Sequence, residues 1–169
     1  MMGQQSMNEK LQILHFQSQD VHFCMDLGFI KKVLPLVSFE AIPGAANYVA
    51  GLINIAGRSI TVIDFGLCIG LSRQRPYTLD TPILICGNEK QEFGMIIDKV
   101  IDLVTIEKKS LQMKEQFDKT DSPFIATVVL ENRLALLVNM NEILSIDLVT
   151  AQPRFAIDKE LANKMRIEL

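Results

Sequence analysis

Apolar and polar residues alternate along this chain over short runs much more often than they recur at helical spacing, and that predicts a molecule built mainly of strands. Residues 11–16 and 21–25 are β-favouring runs separated by Gln17-Ser18-Gln19-Asp20, whose polar residues suit a tight turn. They read as a hairpin, with Val21, Phe23 and Met25 on one face. Further strands are predicted over 30–36, 59–63, 83–86, 93–97, 100–106, 124–130 and 134–138. So many short strands with few long helices make an all-β barrel or sandwich the leading class.

The strands repeat. Residues 22–36 align without a gap on 92–106, sharing the pattern Phe-x-Met-x-apolar-x-x-apolar-x-x-apolar-apolar-x-apolar, and residues 57–64 align on 132–139. Two matches in the same order point to two copies of one small β unit. A unit of about 60–70 residues holds only a marginal core, so the two should share an interface and stabilise each other. Alternating strands also resemble one another by chance, which is the competing account.

Three helical pieces are expected between strands. Residues 45–50 follow Pro43-Gly44 and read as a short helix that Gly51 stops. Asn54-Ile55-Ala56-Gly57 reads as a turn leading into a strand that ends at Asp64. After Pro153, Leu161, Met165 and Leu169 fall four apart behind an Asp158 cap, predicting a C-terminal helix that braces the barrels.

Composition narrows the function. The chain has 169 residues, 49% hydrophobic and 22% charged, and at this length it buries roughly 70% of its unfolded surface. Its apolar runs all break well short of the roughly 20 residues a bilayer span needs. The first ten residues have neither a basic nor an apolar leader region, so a cytoplasmic protein is expected. Three cysteines without close spacing, Cys24, Cys68 and Cys86, read as buried small hydrophobes. A net charge of −3 and a pI near 5.4 leave no electrostatic footprint for nucleic acid, and without Trp there are few stacking platforms.

Catalytic chemistry finds no foothold. The two histidines, His15 and His22, lie in one predicted hairpin and read as outward-facing strand residues. There is no Gly-x-Ser-x-Gly elbow, Gly-rich phosphate loop or His-Glu-x-x-His. Asp64-Phe65-Gly66 spells a kinase triplet by coincidence, since no other kinase motif accompanies it. The cysteines and histidines offer no paired zinc spacing, and Asp98 and Asp102 read as solvated edge charges. The expectation is a binding module with no enzyme activity, no metal and no cofactor.

Residues 47–64, Asn-Tyr-Val-Ala-Gly-Leu-Ile-Asn-Ile-Ala-Gly-Arg-Ser-Ile-Thr-Val-Ile-Asp, carry a family likeness. They resemble the signature of CheW-like domains: aromatic-x-x-Gly-apolar-x-Asn-x-Arg-Gly, then an alternating strand ending in Asp. Gly51, Asn54, Gly57 and Asp64 hold the fixed positions, and Ala56 stands where the family has Arg. The likeness extends from about 11 to 144, through Met25-Asp26-Leu27, residues 30–33, residues 67–71, the Gly94-to-Val100 segment with its Asp98, and residues 137–144.

The resemblance implies two packed five-stranded SH3-like β-barrels in one CheW-like domain over 10–150, divided roughly into 20–80 and 11–19 plus 81–150. A helical tail follows over 151–169. It implies a non-catalytic chemotaxis adaptor between the cytoplasmic tip of a chemoreceptor and the regulatory domain of a CheA-type histidine kinase. Such an adaptor would be cytoplasmic, at membrane-associated receptor arrays, and would neither insert into the membrane nor bind nucleic acid. Its implied partner-facing residues are Ile30, Lys32, Leu34, Ala56 and Arg58, with Gly51, Asn54, Gly57, Asp64, Gly94 and Asp98 as the structural motif. Three positions depart from the family: Ala56 removes a five-donor guanidinium, Lys32 stands where an acid is common, and Gly66 stands where Arg is common. Altered partners are therefore expected. An auxiliary protein that binds the kinase without receptor, and a small-molecule sensor using the inter-barrel groove, are the alternatives.

Overall fold

The computed structural model describes residues 9–117, 122–146, 161–163 and 165. Ten strands follow in order: β1 (Lys10–Ser18), β2 (Val21–Asp26), β3 (Ile30–Pro35), β4 (Val49–Ile55), β5 (Arg58–Asp64), β6 (Pro82–Gly87), β7 (Glu92–Ile96), β8 (Lys99–Glu107), β9 (Phe124–Leu130) and β10 (Arg133–Val138). Two short helices, α1 (Phe65–Cys68) and α2 (Met140–Leu144), follow β5 and β10. One sheet has the order β8-β1-β2-β10-β9 and the other β3-β6-β7-β5-β4. Sheet membership departs from the division expected from sequence at two places: β2 goes with β1, and β6 and β7 go with β3, β4 and β5.

The repeat is present, with its halves exchanged. Phe16 pairs with Val100, His15 with Asp102 and Leu14 with Leu103; subtracting or adding 70 gives Cys86 with Ile30, Ile85 with Lys32 and Leu84 with Val33, which are also paired. Among the described residues the parallel contacts also correspond, Cys24 with Leu137 and Gly94 with Val62, the first members 70 residues apart and the second 75. Each sheet thus takes its first two strands from one half and its last three from the other. In each, a single backbone bridge (Glu40 to Leu52, Gln112 to Thr127) carries the chain that follows one edge strand onto the opposite edge and closes the sheet into a barrel. Three hairpins turn on two residues with positive φ: Gln19 and Asp20, Ala56 and Gly57, and Glu131 and Asn132, the geometry that matches strand twist.

Exchange makes one large core unavoidable. Phe16, Val21, Phe23, Met25, Leu84, Cys86, Phe93, Met95, Leu136 and Val138 come from both sheets and pack together with α1 and α2. Phe23 meets Phe65 edge-on at 4.9 Å and stacks on Phe16 at 5.6 Å and Phe124 at 6.0 Å. Each aromatic contact contributes about 0.5–1.5 kcal/mol beyond area burial. The opposite faces of the same strands fill the two barrel interiors, one with Ile13, Cys24, Val128 and Leu137, the other with Ile53, Ile60, Val62 and Ile83. Asp64 and Asn139, related by 75 residues, cap α1 and α2 by accepting from the Leu67 and Glu142 amides at 3.1 and 3.4 Å. In the tail, residues 161–163 and 165 are helical, and Ala162 and Met165 join the shared core; Asp158 and Leu169 lie outside the described residues.

The helix expected over 45–50 does not form: residues 45–48 are turn and irregular backbone, and strand begins at Val49. Residues 49–55 form β4, with a bulge between Val49 and Gly51, so Gly51 stops nothing. Its φ of +154° and the close approach of Glu40 explain it: a Cβ would sit 2.3 Å from the Glu40 carbonyl oxygen. A six-residue helix has too few internal hydrogen bonds to compete with the bonds that β4 makes to β5 and to Glu40.

Candidate functional site

The partner-facing residues expected from the sequence are only partly gathered. Arg58 opens β5 and donates to Glu92 through Nη1 at 2.9 Å and Nη2 at 3.3 Å, and Lys31 reaches the same carboxylate at 3.3 Å. The Arg58 bonds foremost, with those of Lys31, hold the Glu92 carboxyl below its usual pKa range. Arg58 is therefore committed to Glu92, and Lys31 rather than Lys32 shares the cluster. Ala56 sits exposed in the adjoining turn with φ 51°, where Asn54 Oδ1 accepts from the Gly57 amide at 3.0 Å. Of the remaining three, Lys32 is exposed, while Ile30 packs on the shared core and Leu34 on the interior of its own barrel.

Glu92 also borders a groove of about 620 Å³ between one sheet and α2. Ile63 and Phe93 come from one sheet, and Ile143, Leu144 and Ile146 from α2 and the residues after it. An apolar floor with a charged rim suits capture of an amphipathic element.

The motif aspartates do structural work. Asp64, 1% exposed, accepts from the Leu67 amide, from Arg73 Nε at 2.7 Å and from the Tyr77 hydroxyl at 2.6 Å. Asp98, expected to be a solvated edge charge, instead accepts from the Gln19 amide at 2.6 Å and lies 3.4 Å from Arg73 Nη2. Arg73 also lies over the Tyr77 ring, 4.1 Å from its centroid. Burial opposes its charge, but the Asp64 hydrogen bond and the nearby carboxylates outweigh it and raise the pKa further. This network ties the β1–β2 turn to the end of β5 and joins the two barrels. Gly94 is a packing requirement: a Cβ there would lie 3.0 Å from Val62 Cγ2 and 3.1 Å from Ile83 Cγ2.

The histidines are not outward-facing. His15 and His22 are 1% and 2% exposed, and His15 Nε2 lies 2.7 Å from His22 Nδ1. They point into the barrel interior because the opposite face of β1 and β2 is claimed by the shared core. Arg133 Nη1 lies 3.1 Å from His22 Nε2, the counterpart of the Arg58–Glu92 contact in the other barrel. All three cysteines are buried, as expected, and burial pushes each thiol up to about 12. Among the described residues no cluster of three metal-ligating side chains occurs, and no helix is long and apolar enough to cross a membrane.

Comparison with known proteins agrees with this geometry. The family described as "CheW-like domain" matches residues 12–147. The chain belongs to that family. A chemotaxis protein CheW from Rhizobium meliloti is 21% identical over 136 residues, 78% of this chain and 86% of its own length. A chemotaxis protein CheW from Bacillus subtilis is 30% identical over 105 residues, 61% of this chain and 67% of its own. The scaffolding protein TtCheW from Thermoanaerobacter tengcongensis superposes with a TM-score of 0.72 at 21% identity, covering 84% of this chain and 97% of that one. The fold is thus that of two SH3-like barrels, and the chain is a non-catalytic chemotaxis scaffold.

Proposed function

We propose that this protein couples chemoreceptors to a CheA-type histidine kinase, with a partner preference shifted from that of ordinary family members. The groove between the barrels takes the receptor tip, and a barrel face engages the kinase's regulatory domain, with Ile30, Lys32, Leu34, Ala56 and Arg58 around these surfaces. The observation that supports this reading is the groove lined by Ile63 and Phe93 of one sheet and by α2, with Glu92, the carboxylate that Arg58 and Lys31 hold, at its border. A rod-like partner seated there would touch both barrels and could transmit a small displacement to whatever the barrels hold. The protein would act at receptor arrays on the cytoplasmic side of the membrane.

The shifted preference rests on Ala56. At the exposed turn beside this cluster the family's guanidinium is missing, and Arg58, two residues on, is occupied by Glu92. Calorimetric titration of an ordinary receptor-tip fragment into the native protein and into Ala56→Arg tests this. The variant should bind about tenfold more tightly, as expected for a regained charge-assisted contact. Full-strength binding to the native protein with no change in the variant would remove the altered-partner reading.

A further inference from the structure

The barrels meet at two junctions built from equivalent parts and held very differently. At one, the β1–β2 turn lies against α1; at the other, the β6–β7 turn lies across the 620 Å³ groove from α2. Each helix is tied to its own sheet. The Asp64 amide donates to the Tyr48 carbonyl and, 75 residues on, the Asn139 amide donates to the Pro123 carbonyl, both at 2.7 Å. In α1, Gly66 lets the turn come close, since a Cβ there would lie 2.9 Å from Ser18 Oγ and 3.2 Å from Gln19 Cγ. Its counterpart in α2 is Asn141, which carries a side chain. The first junction is also clasped. The Gln19 amide donates to Asp98 Oδ2 at 2.6 Å, the Gln74 amide donates to Gln19 Oε1 at 3.0 Å, and Arg73 joins Asp64 to Asp98. Arg75 Nη2 reaches both carboxylate oxygens of Asp20 at 2.7 Å. The three carboxylates of this clasp, Asp20, Asp64 and Asp98, correspond to Lys90, Asn139 and Gly28, none of them acidic.

We propose that the clasped junction is a pivot and the groove its mouth: the barrels turn about the clasp as rigid bodies and so widen or narrow the groove. Each barrel is closed and filled by its own side chains, so a displacement is taken up between the barrels rather than inside one. The apolar core they share is held by non-directional contacts, which permit the small sliding of packed elements. The clasp is the opposite case, because charge-assisted hydrogen bonds are directional and fix the groups they join. A body fixed at one junction moves most at the other, where the lever arm is longest. An element wedged into the groove would therefore change the angle between the barrels, and a change in that angle would grip or release the element.

Pulsed electron–electron resonance on the full chain, with no kinase or receptor present, tests this whatever the groove binds. Spin labels at Lys90→Cys and Ser145→Cys report the width of the groove, and labels at Lys90→Cys and Lys32→Cys report one barrel alone. The three native cysteines are buried and take no label. Across the groove, the distance distribution should become about twofold broader when Arg73→Gln removes the cation of the clasp. Arg75→Glu, which sets a like charge against Asp20, should broaden it less, and adding Asp20→Arg should narrow it again. The pair within one barrel should keep its width throughout. Arg73→Gln lowers stability, so circular dichroism checks that it is folded; Arg75 is exposed, and its variant carries the test if the first does not fold. A groove distribution that stays as narrow in the folded variants, one that broadens together with the within-barrel pair, or a charge swap that does not narrow it would overturn the proposal.

Discussion

Acid should destabilise this protein through a buried ring, that of His22. His22 is 2% exposed, with Arg133 Nη1 3.1 Å from its Nε2 and His15 Nε2 2.7 Å from its Nδ1. Because a guanidinium only donates, His22 Nε2 must accept, and its Nδ1 carries the proton given to His15. That chain requires neutral rings. Burial foremost, then His15 and Arg133, lowers the His22 pKa from 6.5 to about 4, and burial also lowers that of His15. The folded pKa lies below the unfolded one, so the unfolded chain binds protons that the native state refuses. Stability is full above the unfolded value, falls as pH drops from about 6.5 towards about 4, and levels off below. Between about pH 7 and about pH 5 His22 alone accounts for a loss of about 2 kcal/mol, and His15 adds to it. Urea unfolding at both pH values should show that loss in the wild type. In His22→Gln, whose amide can accept from Arg133 and donate to His15 without titrating, the fall should shrink by about 2 kcal/mol. An equal pH dependence in the two proteins, or a wild type that gains stability on acidification, would refute the assignment.

Other perturbations have equally definite outcomes. Gly51→Ala should cost about 3 kcal/mol or more in denaturant unfolding, since its Cβ would strike the Glu40 carbonyl at 2.3 Å with backbone on both sides of the clash. Arg73→Ala should cost about 3 kcal/mol by leaving the Asp64 charge buried without its cation, and Arg73→Lys should recover only part of that. Ala56→Gly should raise stability by about 0.5–1 kcal/mol, because φ at 51° strains any residue with a Cβ; a lower unfolding midpoint would contradict the turn geometry. A thiol-reactive dye should label none of the three cysteines in the native protein over minutes and all of them in denaturant.

Much of this architecture was legible in the sequence because period-2 alternation and the 70- and 75-residue offsets are local signals. Every strand but β4, the internal repeat and the Ala56-Gly57 turn could be read there. The exchange of strands between halves could not, because alternation says which residues share a face and nothing about which sheet they join. The histidines were misjudged for a related reason. In β1 and β2 both faces are buried, so a polar residue on the face opposite Phe16 and Phe23 points into a barrel rather than into water. The segment 45–50 was misread because Gly51 looks like a helix stop unless the approach of Glu40, eleven residues earlier, is known. Arg73 and Tyr77 lie between strands, where no periodicity marks them, and only the fold brings them to Asp64 and Asp98. The family resemblance marked both aspartates as structural motif positions, and in the fold both lie in the network around Arg73.

The most direct test of the adaptor account is a bridging measurement: immobilised receptor-tip fragment, soluble kinase regulatory domain, and this protein added or withheld. The account predicts that the kinase domain is retained on the receptor surface only when the protein is present, and that retention saturates as the protein is titrated. Failure to bind either component, or equal kinase retention with and without the protein, would contradict it.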